Sequence, residues 1–382
     1  MNDYYLNIVA FDVPYPPDYG GAIDVFYKLK SLKANGCKII LHCFDYKNRQ
    51  NGILENFCEK VYYYTRNQHW TKQLSLKPYS VLSRKNNQLL QNLTANNYPI
   101  LFEGLISCYY LNNKELKSRR KIVRMCNIEH KYYFNLYKSS KNISDKTFFL
   151  YESIKLFFFQ KILKNADAIF SISETEKTYL KKRFPNNNVE KLNAFHAFQA
   201  INSKPGFGKY ILYHGNLAVS ENYKAAEYLC KNIFTDLAFP CVIAGKNPPS
   251  FLKNLIRNFN NITLIENPNQ EEMDELISNA HINFLITFQS TGVKLKLLNS
   301  IFEGRFILAN SLMLEGSELN ELCFEANSKD DFINECKRLI EIPFTEDLLI
   351  IREKVIKKNY DNKQNAIKLL ESIKNQEKMS VN

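Results

Sequence analysis

The stretch Ser290-Thr291-Gly292-Val293-Lys294 follows the apolar run 282–288 and precedes a helical pattern. The hydroxyl of Ser290 or Thr291 can cap that helix, Gly292 allows close approach to the backbone, and the free first-turn amides carry roughly +0.5 of a charge. Lys294 adds a full positive charge beside them. The combination predicts a diphosphate site; the competing reading is a plain strand-to-helix connection. It is not a Walker loop, because G-x-x-x-x-G-K-[ST] occurs nowhere in the chain. Two further strand ends carry the same residue types, Gly215-Asn216 after the run 210–216 and Gly245-Lys246 after 241–245. These loops are expected on one edge of one parallel sheet, where ligands of such sheets bind.

The first half of the chain offers two more clusters. "PYPPDYGGAIDVFY" follows the first strand; its prolines stiffen the loop, and Gly20-Gly21 permits close backbone approach as a helix begins. A tight turn is the ordinary alternative. "RMCNIEHKYY" gathers Arg124, Asn127, Glu129 and His130 at the end of the fifth strand. His130 is read either as a ligand-site residue or as a structural histidine. Its neighbours lack metal-ligand spacing, which predicts no metal site.

These loops need a scaffold, and the alternation of short strands with helical patterns supplies it. Strands are expected at 6–13, 38–44, 60–66, 99–104, 121–128 and 167–173, then at 210–216, 241–245, 262–267, 282–288 and 305–310. Alternation of this kind means βαβ units and parallel sheets covered on both faces. Residues 193–210 contain Pro205, Gly206 and Gly208 and lose periodicity, as a linker would. The expectation is α/β with two tandem Rossmann-like domains facing a cleft: residues 1–195, a linker 196–209, residues 210–345, and C-terminal helices over 346–382 that pack back on the first domain.

At 382 residues the chain has room for two domains of ~100–200 residues each. The start has no basic flank and enters a strand at once, so a cytoplasmic protein without a signal peptide is expected. Nine dispersed cysteines without a C-x-x-C pair read as reduced core thiols. A net charge of +12 implies an anionic partner, and the absence of nucleic-acid-binding signatures argues against nucleic acid. Residues 147–165, "TFFLYESIKLFFFQKILKN", carry aromatics around most of a helix. A helix buried on the first sheet is expected; the alternative is that aromatics aided by Lys155, Lys161 and Lys164 touch an anionic membrane surface as a peripheral protein would.

The segments "YGGAIDVFYKLKSL", "NIEHKYY", "YESIKLFFFQKILKNADAIFSIS", "LYHGNLAVSENYKAAEYL" and "STGVKLKLLNSIFEGRFILAN" together resemble the retaining nucleotide-sugar glycosyltransferases of family four, which have the GT-B fold. The last segment is the most specific. The resemblance implies a nucleotide diphosphate-sugar donor held by the second domain, a glycan or lipid-linked glycan acceptor at the first, retention of configuration, and no metal or cofactor. It assigns phosphate contacts to Lys294 and the Gly292 and Val293 amides, with Lys246, Gly215 and Asn216 nearby. It places His130 on the donor sugar and Tyr19, Gly20 and Gly21 on the phosphate or acceptor side. The chain departs from the family at two glutamates, which are replaced by Thr291 and Asn299; Glu303, a turn beyond Asn299, is the available carboxylate. A catalytically silent nucleotide-sugar-binding or scaffold subunit is the alternative.

Overall fold

The computed structural model describes residues 4–45, 48–50, 52–140, 142–288 and 295–374. Among these, one compact unit comprises residues 4–197 and 360–374, and a second comprises 198–288 and 295–359.

The first unit is built on seven strands, β1 (Tyr4–Val9), β2 (Cys37–Asp45), β3 (Lys60–Thr65), β4 (Ile100–Glu103), β5 (Lys121–Arg124), β6 (Ala168–Ser171) and β7 (Asn188–Lys191). All pair in parallel, in the order β3-β2-β1-β4-β5-β6-β7. The central strands are apolar on both faces because helices cover both, as Ile100, Leu101 and Phe102 show by their full burial. Each such side chain contributes about 1.5–3 kcal/mol when removed from water. β1 stops at Val9, short of the expected 13, because the chain turns into the proline-rich loop. β7 was not expected: only Val189 of its four residues is buried, so an edge strand carries little apolar signal.

Helix Gly20–Ala34 buries Val25, Phe26, Leu29 and Leu32, and the last helix, Asn362–Lys374, adds Ala366, Leu369, Leu370 and Ile373 to the same core. Arg120 donates to the Ser372 carbonyl at 2.7 Å and Lys368 to the Lys191 carbonyl at 2.7 Å, which ties that helix to the first unit. Helix Glu346–Asn359 lies in the second unit.

The second unit has six parallel strands, β8 (Ile211–Asn216), β9 (Cys241–Lys246), β10 (Ile262–Glu266), β11 (Ile282–Leu285), β12 (Phe306–Ala309) and β13 (Phe324–Glu325), ordered β10-β9-β8-β11-β12-β13. In both units the strand order reverses beside the first strand, at β1/β4 and at β8/β11. Such switch points open a crevice at the strands' carboxyl ends.

Helix Ile143–Phe159 departs from expectation. Its buried residues are Glu152, Ser153 and Leu156, while Ile143, Tyr151, Ile154, Phe157 and Phe158 are exposed. The helix turns Glu152, Ser153 and Leu156 to the unit, with Phe149 and Phe159 half-buried beside them, and Glu152 caps the backbone of a neighbouring segment. Its carboxylate accepts from the Tyr79 amide at 2.9 Å and from the Ser80 amide at 2.7 Å.

Candidate functional site

In the second unit, register places the anticipated residues side by side: Gly215 pairs with Gly245 and Asn216 with Lys246 at the carboxyl ends of β8 and β9. Asn216 and Lys246 are exposed there. The loops beyond β9 and β10 turn through Asn247 and Asn267, both left-handed at φ 49° and 52°, a conformation asparagine tolerates better than most residues. The Asn267 side chain locks the pair by accepting from the Asn247 amide at 2.7 Å.

At the β8/β11 switch point the working groups come from helices Ser220–Asn232 and Leu295–Glu303. Lys296 donates to the Ile286 carbonyl at 3.3 Å and approaches Asn222 Oδ1 at 3.5 Å, with its ammonium 5.3 Å from the Tyr213 ring centroid. Glu221 accepts a hydrogen bond from the Thr287 hydroxyl, and Asn310 brackets the Thr287 backbone, accepting from its amide at 3.2 Å and donating to its carbonyl at 2.8 Å. Beneath them His214 meets the Ser300 hydroxyl at 3.2 Å, and burial, with Lys296 nearby, lowers its pKa to about 3. The edge thus carries the Lys296 and Lys246 ammoniums and the Asn216 and Asn222 side-chain amides over a neutral imidazole, a set suited to phosphate and sugar hydroxyls.

In the first unit the strand ends close over a charge network. Lys28 donates to both Glu103 oxygens at 2.8 Å and to Asp24 at 3.3 Å; Arg124 lies 3.7 Å from Asp24, and all four are fully buried. Asp24 also accepts from the Phe195 amide at 2.8 Å. Burial opposes the Asp24 charge, but Lys28 and Arg124 hold its pKa below the usual value; Glu103, where burial prevails, is raised. Asp24, Glu103 and Cys126 lie within 4.8 Å of one another, close enough to ligate a cation. Lys28 and Arg124 already offset both carboxylates, and burial holds the Cys126 thiol well above its ordinary range, so the group is a neutral network rather than a metal cradle.

A step outward, two carboxyls stand near neutrality. Burial raises Glu129 to about 7, with Arg84 opposing and Glu176 reinforcing, and burial raises Glu176 to about 7 against Arg124. Arg84 is anchored to the Phe11 carbonyl at 2.7 Å and the Ser80 carbonyl at 2.6 Å.

The anticipated residues of this unit fall as follows. Tyr19 is the N-cap residue of helix Gly20–Ala34; its hydroxyl donates to Asp12 at 2.7 Å and its ring lies 5.6 Å from the Arg49 guanidinium. Gly20 opens that helix. A Cβ on Gly21 would meet the Phe11 ring at 2.6 Å and the Tyr19 ring at 3.2 Å, so aromatic carbon occupies its open side. Protein atoms likewise fill the sides of Gly215, by the Asn222 amide at 3.2 Å, and of Gly245, by the Gly215 carbonyl at 1.9 Å. His130 is half-buried, its ring 5.3 Å from Phe157 and 5.8 Å from Tyr179; burial first, then Lys131 and Arg183, lower its pKa to about 4. Asn299 is half-buried on helix Leu295–Glu303, and Glu303 at its far end accepts from Asn202 at 2.9 Å. Glu303 is about 6 Å along the helix from Asn299. Thr291, Gly292, Val293 and Lys294 lie outside the described residues.

Lys296 and Glu221 escaped the sequence reading. Lys296 stands in the same "KLKLL" run as Lys294, and alternation alone does not say that Lys296 turns to the sheet edge. Asp24 and Lys28 did leave a signal, a charged pair four residues apart inside an apolar helix pattern.

Two Rossmann-like units in tandem, each with its own switch point, define the GT-B fold. Solved structures agree. A sucrose-phosphate synthase from Thermosynechococcus elongatus superposes with a TM-score of 0.72 at 12% identity, covering 99% of this chain and 100% of that one. TarM matches at 0.68 and 11%, covering 98% and 99%. Anabaena HepE, solved with UDP and glucose, matches at 0.64 and 9%, covering 97% and 99%. An uncharacterized 44.6 kDa protein in the cps region of Klebsiella pneumoniae is 24% identical over 337 residues, 82% of this chain and 84% of its own. No family model matches.

Proposed function

We propose that this protein is a retaining glycosyltransferase that moves a sugar from a nucleotide diphosphate-sugar to a glycan or lipid-linked glycan acceptor, without a metal ion, in the synthesis of a surface polysaccharide or glycoconjugate. The observation that carries it is the carboxyl edge of β8, β9 and β11, where Lys246, Asn216, Asn222 and Lys296 gather on a GT-B chain. The second unit takes the donor. Lys296, Lys246 and Lys294 offset the leaving diphosphate, the Gly292 and Val293 amides contact it, and Asn299 hydrogen-bonds the ribose. The bond from the sugar C1 to the diphosphate oxygen breaks, the acceptor oxygen bonds C1 on the same face, and the acceptor proton passes to the departing oxygen. The first unit takes the acceptor beside Tyr19, Gly20 and Gly21. His130, half-buried beside Phe157 and Tyr179, is the residue proposed to contact the donor sugar.

A transfer and hydrolysis assay over a panel of nucleotide diphosphate-sugars tests this, with one donor consumed in EDTA as the expected result. A donor consumed only after magnesium or manganese is restored would overturn the metal-free mechanism. Nucleotide binding with no donor consumed would favour the second reading, a silent nucleotide-sugar-binding or scaffold subunit. One observation supports that reading: Thr291 and Asn299 replace the two glutamates, and Glu303 is engaged by Asn202.

A further inference from the structure

Helix Ile143–Phe159 carries an apolar stripe on its solvent side as well as Leu156 on its buried side. Ile143, Thr147, Tyr151, Ile154 and Phe158 recur at i, i+4, i+8, i+11 and i+15, one stripe along the solvent side. Four of them are large and apolar, exposed by 81% at Ile143, 61% at Tyr151, 47% at Ile154 and 59% at Phe158. The opposite side puts Leu156 into the core, and its polar groups are satisfied. Glu152 accepts from the Ser80 hydroxyl at 2.6 Å besides the two amides, Ser153 donates to the His130 carbonyl at 2.7 Å, and Gln160, just beyond the helix, accepts from Tyr179 at 3.1 Å. Packing within the unit therefore gives no reason for the apolar residues outside.

The patch extends onto the segment before Tyr79. Trp70, Leu74 and Leu76 are exposed by 65%, 77% and 95%, and Lys155 ties that segment to the helix by donating to the Gln73 carbonyl at 2.6 Å. The surroundings are basic. Between residues 143 and 164 stand Lys146, Lys155, Lys161 and Lys164 against one exposed carboxylate, Asp145, since Glu152 is buried. Lys161 lies 5.8 Å from the Phe158 ring centroid, ammonium beside aromatic.

We infer that this face docks on an anionic lipid bilayer, with the stripe and Trp70 entering the interface and the lysines meeting headgroups. Aromatic rings suit that depth, and long lysine stems let the charge stay at the surface while the carbons go below it. A second copy of the chain fits less well, because a two-fold contact would bring the same lysines together. Among the described residues no helix is long and apolar enough to cross a membrane, so the binding inferred is reversible and peripheral. The inference is independent of sugar transfer and is tested without a donor.

The full chain is floated with phosphatidylcholine vesicles and with vesicles that also contain phosphatidylglycerol. Flotation with the second only, reversed by salt, is expected. Tyr151→Ser, Ile154→Ser and Phe158→Ser combined should cut partitioning by at least roughly tenfold, and Lys161→Gln and Lys164→Gln by roughly fivefold each. All are exposed positions, so melting temperature should hold and separate lost docking from lost folding. Flotation unchanged by the serine variant, equal flotation with both vesicles, or none with either would overturn the inference. Light scattering that shows a dimer dissolved by the serine variant, without flotation, would instead assign the face to a second copy.

Discussion

At the end of β4 the side chain is Glu103, sealed with Lys28, Asp24 and Arg124 away from water; at the ends of β8 and β9 the side chains are Asn216 and Lys246, both in water. The two sheets share a strand order and a switch point, yet one edge is internally neutralised and the other presents charge. The difference teaches that a Rossmann-like edge is only a place for chemistry. Whether it binds depends on how far its charges are already satisfied by one another. In the first unit Lys28 and Arg124 cancel two carboxylates, leaving Glu129 and Glu176 as the titratable groups above them.

The largest expected effect comes from opening the sealed network. Lys28→Met leaves Glu103 and Asp24 with less compensation in a buried site, and urea denaturation should show a loss of about 3–5 kcal/mol. Adding Glu103→Gln should recover part of that loss; no recovery would mean that packing, rather than charge, sets the cost.

Next is the pH response of the group above it. Because folding raises the Glu129 pKa from 4.5 to about 7, the folded state holds the proton more tightly than the unfolded chain. Its contribution is therefore present below pH 4.5 and is lost as pH rises to about 7. Glu129→Gln should match the wild type in acid and exceed it above neutrality by roughly 2–4 kcal/mol in unfolding free energy measured by urea denaturation. A constant difference across pH would assign Glu129 a hydrogen-bonding role without titration.

In the second unit Lys296→Ala should weaken binding of a nucleoside diphosphate, measured by calorimetry, by roughly 1.5–3 kcal/mol, the scale of a charged hydrogen bond. Lys28 variants that remain folded should bind it as the wild type does, since their network lies in the other unit. Equal losses from both would erase the contrast drawn between the edges.

The smallest effects compare two glycines. Gly245→Ala places a Cβ against the Gly215 carbonyl, which cannot yield, and should destabilise by about 1–3 kcal/mol. Gly21→Ala meets the tip of the Phe11 ring, which can turn aside, and should cost less. Thermal melts rank them directly.

The sequence by itself determined the tandem βαβ plan. Strand-length apolar runs such as "PILFEG" and "CVIAG" can be satisfied only by sheets covered on both faces, and each places its polar or glycine residue at the carboxyl edge. It also carried Gly215, Asn216 and Lys246 to one edge, because parallel register follows from strand ends. Tertiary structure alone decided that Lys296 bends back to the Ile286 carbonyl, that His130 lies among Phe157 and Tyr179, and that Glu303 is engaged by Asn202. It also decided that the aromatic helix turns its apolar stripe to solvent. A helix with aromatics around most of its circumference has no unique inward face from periodicity, and here Glu152, capping the Tyr79 and Ser80 amides, and Leu156, in the core, face inward.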